Sequence, residues 1–209
     1  MNKQMAPAIK YDCMQNGKDN FLFKKLKIQD WQKFSDLSYN YYLNLNSFVS
    51  VRGFTKIIDH NDFLEKVVEF KHFFNQYNLI CIYAAFIVVD KNIKQYLHRD
   101  KGPEITRLLW PIKNCVNSQV IFYKVNESNK KFATDGKSIW HFYEIEKAEQ
   151  LDYYVLSEPH LVNLSRPHFI NLEKEFNNER ISLYFMFNSD PINLINNLTY
   201  DYQKHNFTE

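Results

Sequence analysis

A chain of 209 residues can bury a sizeable core in one domain, and no shift in composition divides it, so a single domain over residues 1–209 is expected. Aromatic residues make up 17% of the chain, with 18 Phe and 14 Tyr, which excludes a disordered or low-complexity protein. The 26 basic and 24 acidic residues leave a formal charge of +2, so no basic field exists to drive binding to phosphate backbones, and nucleic acid is not indicated.

Residues 1–20 mix Lys, Asn and Asp with little periodicity and predict an irregular N-terminus without the apolar stretch of a secretory signal. The aromatic row Tyr39, Tyr41 and Tyr42 is read as packing, as are Trp110 and Trp140. Between Asn61 and Tyr77, apolar residues recur at helical spacing from Phe63 to Phe74, with Asp59 or Asn61 as N-cap, predicting a helix laid on one side of a sheet. From Leu79 the pattern turns to β. The runs LICIYAAFIVVD, RLLWPI, SQVIFYKV, SIWHFYEI, HLVNL and RISLYFMF are short and rich in branched and aromatic residues, and predict a barrel or sandwich over residues 79–188. Helices gathered early and strands gathered late argue against alternating βαβ units and a parallel sheet. Ser189-Asp190-Pro191 predicts a short terminal helix. The longest uncharged apolar run, Leu79 to Val89, is too short to cross a bilayer as a helix, so no membrane is expected. Cys13, Cys81 and Cys115 are odd in number and widely spaced, fitting neither a disulfide framework nor a zinc site, which points to a reducing cytoplasm.

The chemistry-bearing residues are concentrated late in the chain. In a strand, side chains at i and i+2 point the same way, so His98 and Asp100 can reach one metal while Arg99 points elsewhere. Two histidines and one carboxylate on one face of an iron leave its other positions open for a co-substrate and dioxygen. With seven histidines in the chain, one such pair arises readily by chance and then serves only as a hydrogen-bonded strand end. The third ligand must come from another strand. His141, His160 and His168 all lie downstream in β-like segments, and His168 is favoured because Arg180-Ile181-Ser182 comes after it. In that triplet the guanidinium and the hydroxyl share a strand face and suit joint recognition of a carboxylate.

This order of motifs, HxD…H…RxS, resembles the Fe(II)/2-oxoglutarate-dependent dioxygenases of the double-stranded β-helix, or cupin-like, fold. Within that superfamily, HRDKGPEITRLLWPIKNCVNSQVIFYK followed by LVNLSRPHFINLEKEFNNERISLYF resembles the phage and bacterial oxygenases related to aspartyl/asparaginyl β-hydroxylases, with Asn163 and Pro167-His168 matching closely. The resemblance implies a mainly β (α+β) fold whose jelly-roll core is flanked by N-terminal helices. It also implies that His98, Asp100 and His168 bind Fe(II), that Arg180 with Ser182 pairs with the distal carboxylate of 2-oxoglutarate, and that Arg107 is a further co-substrate contact. The activity implied is hydroxylation of a C–H bond of an amino-acid side chain or small metabolite, using dioxygen and releasing succinate and CO2. Leu109 departs from the pattern, standing where many relatives have Asn, so pocket polarity does not transfer. A cupin-like binding module without catalysis, or a β-rich structural or virion protein, are the alternatives.

Overall fold

The structure, a computed structural model, describes residues 21–51, 53–93, 95–100, 106–134, 139–173, 178–189 and 191–198. Cys13 and the N-terminus expected to be irregular lie outside the described residues, as does the side chain of Trp140.

Strands β1 (Phe23–Lys25), β2 (Val49–Val51), β3 (Thr55–Ile58), β4 (Cys81–Val89) and β5 (Thr106–Lys113) come first in the chain. They are followed by β6 (Ser118–Lys124), β7 (Lys130–Thr134), β8 (Ile139–Tyr143), β9 (Glu149–Val155), β10 (His160–Asn163), β11 (His168–Leu172) and β12 (Arg180–Phe187). The larger sheet is seven-stranded in the order β1-β10-β5-β12-β4-β3-β2, and the smaller is ordered β11-β6-β9. A bridge between His98 and His168 adds the segment around Leu97 and His98 beside β11. From β4 onward the chain therefore passes repeatedly between two facing antiparallel sheets. The larger carries β10-β5-β12-β4 at its centre, and the smaller carries β9-β6-β11 and the His98 segment. This path is the double-stranded β-helix. The β7–β8 hairpin is inserted between β6 and β9, and a bridge between Leu97 and Tyr143 ties it back to the His98 segment.

Strand alternation sorts the side chains between two environments. On β12, Ile181, Leu183, Phe185 and Phe187 join the core beneath the helices, while Tyr184 and Met186 pack in a second cluster on the opposite face. Arg180 and Ser182 fall on that second face by the same alternation. Helices α1 (Trp31–Leu43), α2 (His60–Lys66) and α3 (Val68–Gln76) cover the outer face of the larger sheet, with Phe63, Phe70, Phe74 and Trp110 fully or almost fully buried between them. Tyr39, Tyr41 and Tyr42 pack against the same core. The helix expected over 61–77 is two helices, because Val67 leaves helical geometry (φ −119°, ψ 71°) where two β-branched residues are adjacent. Asp59 caps α2, its carboxylate accepting from the backbone N–H groups of Asn61 and Asp62. Neither α1, nor β9, nor the β2–β3 hairpin was expected from the sequence.

Pro111 lies inside β5, a central strand, where it cannot donate to the sheet. The β12–β5 register shifts between Ile181 and Ser182, opposite Pro111, and this irregularity accommodates it. The Pro111 carbonyl accepts a buried hydrogen bond from Ser35 Oγ (2.6 Å), which pins α1 to β5. A last helix, α4 (Ile192–Leu198), follows Pro191. No helix among the described residues is long and apolar enough to cross a membrane.

Candidate functional site

His98 and His168 are brought together by the backbone. Their strands pair there, with His98 N–H donating to the His168 carbonyl (3.1 Å) and His168 N–H to the His98 carbonyl (2.7 Å). Asp100 N–H donates to the Leu164 carbonyl (3.0 Å), which fixes the carboxylate on the same side. One nitrogen of each histidine and one carboxylate oxygen of Asp100 lie within 4.8 Å of one another. Donor atoms this close together form a set that could hold a single metal ion.

Each imidazole is oriented by its own strand. Nδ1 of His98 lies 2.7 Å from the Tyr96 carbonyl, and Nδ1 of His168 lies 2.9 Å from the Arg166 carbonyl. A carbonyl only accepts, so Nδ1 carries the proton and Nε2 presents its lone pair, the tautomer a metal ligand needs. Burial, and then the neighbouring His98, hold the pKa of His168 below the usual histidine range, which keeps the ring neutral. The turn before His168 is set by Asn163, whose Oδ1 accepts from Ser165 N–H (3.1 Å) and Ser165 Oγ (2.6 Å).

His98, Asp100 and His168 line one region of a cavity of about 360 Å³, and Arg180 and Tyr154 line it as well. Arg180 is completely buried. Its Nε donates to Ser118 Oγ (2.7 Å) and its Nη1 to Ser182 Oγ (3.0 Å), while its buried Nη2 has no hydrogen-bond partner among the described residues. The Tyr154 hydroxyl, pushed up in pKa by burial, is likewise buried without a partner. A buried cation beside an unsatisfied hydroxyl is a costly arrangement unless an anion completes it. The donor set fits a carboxylate, and the His-Asp-His set fits a divalent transition metal with open positions.

Arg107 lines the same cavity and pairs with Asp100, Nη1 to Oδ2 at 3.0 Å. Its guanidinium lies over the Tyr184 ring, 4.8 Å from the centroid, and Tyr184 stacks on Tyr83. Arg99 reaches the cavity wall but its guanidinium pairs with Glu127. The other candidate histidines are placed differently. His141 lines the cavity from β8 without joining the cluster that could hold a metal. His160 is buried on β10 against Tyr154, outside that cluster, and burial lowers its pKa to about 4. Cys81 and Cys115 are free and buried, and burial pushes the Cys81 thiol up to about 12, an inert structural group.

Tyr154 and Ser118 were not singled out in the sequence. Ser118 opens a strand that was expected, two positions from Val120, which shares its inward face. Tyr154 sits on β9, whose aromatic and branched residues Tyr153, Tyr154 and Val155 were the available signal.

No protein-family model matches the chain, and no curated protein matches it. Solved structures resemble it in fold. HygX from Streptomyces hygroscopicus with iron bound is 10% identical over 79% of this chain and 81% of its own, with a TM-score of 0.46. The same protein with nickel, 2-oxoglutarate and hygromycin B bound is 11% identical over 81% of this chain and 83% of its own, with a TM-score of 0.45. A prolyl-4-hydroxylase from Pseudomonas putida is 11% identical over 80% of this chain and 92% of its own, with a TM-score of 0.41.

Proposed function

We propose that this protein is an Fe(II)- and 2-oxoglutarate-dependent dioxygenase that hydroxylates a C–H bond of an organic substrate, with release of succinate and CO2. One observation carries the reading: a cavity that the His98, Asp100 and His168 cluster and the unsatisfied buried guanidinium of Arg180 line together. A metal-chelating dicarboxylate needs both kinds of partner.

In this reading His98, Asp100 and His168 hold iron on one face. Arg180 anchors the distal carboxylate of 2-oxoglutarate, with Ser182 and Ser118 aligning the guanidinium and the Tyr154 hydroxyl as a further donor. Arg107, beside Asp100, is the second cationic contact of the site. Bound iron supplies the activation of dioxygen that couples decarboxylation of the co-substrate to hydroxylation. Phe54, Ile57, Ile87 and Tyr83 add an apolar stretch to the cavity wall. A cavity of this size suits a small metabolite or a single amino-acid side chain. The narrower kinship with aspartyl/asparaginyl β-hydroxylases rests on the Asn163, Pro167-His168 and Arg180-Ile181-Ser182 motifs, and a cytoplasmic setting on the free buried cysteines.

The test is an anaerobic titration with Fe(II) and then 2-oxoglutarate. A weak visible charge-transfer band is expected, together with succinate formation once dioxygen is admitted, and both should vanish in Asp100→Ala. A folded, iron-loaded protein that gives no band ends the oxygenase reading.

A further inference from the structure

Asp100 has two carboxylate oxygens, and the structure gives them different neighbours. Oδ1 lies 3.6 Å from His98 Nε2, on the side of the ligand cluster, whereas Oδ2 pairs with Arg107 Nη1 at 3.0 Å. Both partners are well shielded, with side-chain exposures of 14% for Arg107 and 18% for Asp100, so the pair is screened far less than a surface ion pair. Arg107 is also held from behind. It sits in regular register opposite Val162 on β10, and its guanidinium rests on Tyr184, which packs on Tyr83.

We propose that Arg107 is a positioning residue that confines Asp100 to single-oxygen ligation of the metal. The inference rests on the oxygenase reading above and deepens it. An unrestrained carboxylate can chelate a metal through both oxygens. At a site with two histidines, that second oxygen occupies a position needed by the co-substrate or dioxygen. An ion pair on Oδ2 directs that oxygen away from the metal, and the Tyr184 platform stops Arg107 from following the carboxylate inward.

The experiment uses Co(II) alone, without 2-oxoglutarate, so a direct contact between Arg107 and the co-substrate cannot move the result. The infrared difference spectrum of metal-loaded minus metal-free protein reports the separation of the antisymmetric and symmetric carboxylate stretches, wide for one-oxygen and narrow for two-oxygen ligation. A wide separation is expected for the wild type, and a narrow one for Arg107→Met, with a matching change in the cobalt visible bands. Arg107→Leu carries the same expectation if the Met variant does not fold by circular dichroism. A folded variant with the wild-type spectrum overturns the positioning role and leaves the oxygenase reading intact. A wild type that takes up no metal overturns both.

Discussion

At the scale of single residues, Arg180 is the most exacting group in the molecule. A guanidinium buried completely and hydrogen-bonded, among the described residues, only to Ser118 and Ser182 is retained at a cost to stability, since well-packed apolar residues commonly replace buried charges without loss. Arg180→Met is therefore expected to leave unfolding stability in urea unchanged or raised by about 1–2 kcal/mol. The same variant should lose at least 100-fold in 2-oxoglutarate affinity, an ion-paired loss on the order of 3 kcal/mol, measured by anaerobic titration. A large fall in stability with affinity retained would show that the guanidinium is a structural group. His160 makes a second prediction. Its folded pKa of about 4 lies below that of an unfolded histidine, so between those values the unfolded chain holds a proton that the folded chain does not. Stability is therefore complete above about pH 6.5 and falls as pH drops towards 4, by roughly 3 kcal/mol for this residue. Urea midpoints from pH 7 to 4.5 should fall less steeply in His160→Leu than in the wild type. An unchanged slope would remove His160 from the acid response.

At the scale of elements, α1 and β5 are coupled through one buried hydrogen bond. Ser35 Oγ supplies the Pro111 carbonyl with a donor inside the core, beside the register shift that lets a proline sit in a central strand. Ser35→Ala strands that carbonyl and should cost about 1–3 kcal/mol in urea unfolding. A cost below about 0.5 kcal/mol, the usual range of surface substitutions, would mean that the helix is held instead by its aromatic contacts and by the hydrogen bond from Trp110 Nε1 to the Trp31 carbonyl. Most strands were legible because branched and aromatic runs bounded by polar turns have a period of two. Among the elements that were not are α1, β9 and the β2–β3 hairpin. In α1 the core-facing side chains mix Trp31, Phe34 and Leu37 with buried Ser35 and Ser38 and with Tyr39, Tyr41 and Tyr42, which blurs the helical stripe. In β9, Glu149, Gln150 and Asp152 interrupt the apolar pattern, although Tyr154 faces inward. The break at Val67 separates two stretches that each keep helical periodicity, so the sequence shows one helix where the chain makes two.

At the scale of the whole molecule, the candidate site joins segments far apart in the chain: the His98 turn, β11 and β12. A ligand that bridges them should stabilise the native fold by linkage, about 2.7 kcal/mol at a concentration 100 times its Kd. Adding Mn(II) with 2-oxoglutarate under anaerobic conditions is expected to raise the melting temperature, and a chelator should reverse the rise. Asp100→Ala should show no shift from the pair of ligands. An equal shift in that variant would place the binding elsewhere.

The sequence by itself determined which side chains are candidate ligands, the parity that puts His98 and Asp100 on one face and Arg180 and Ser182 on another, and the β-rich class of the core. These are local properties, fixed by side-chain chemistry and a repeat of two residues. The choice among His141, His160 and His168 as the histidine beside His98 depended on which strands pair across the barrel, and only the tertiary structure decided it. So did the pairing of Arg107 with Asp100 and the approach of Tyr154 to Arg180. Strand order is set by which faces bury against one another over long separations, and no local period in the chain encodes that.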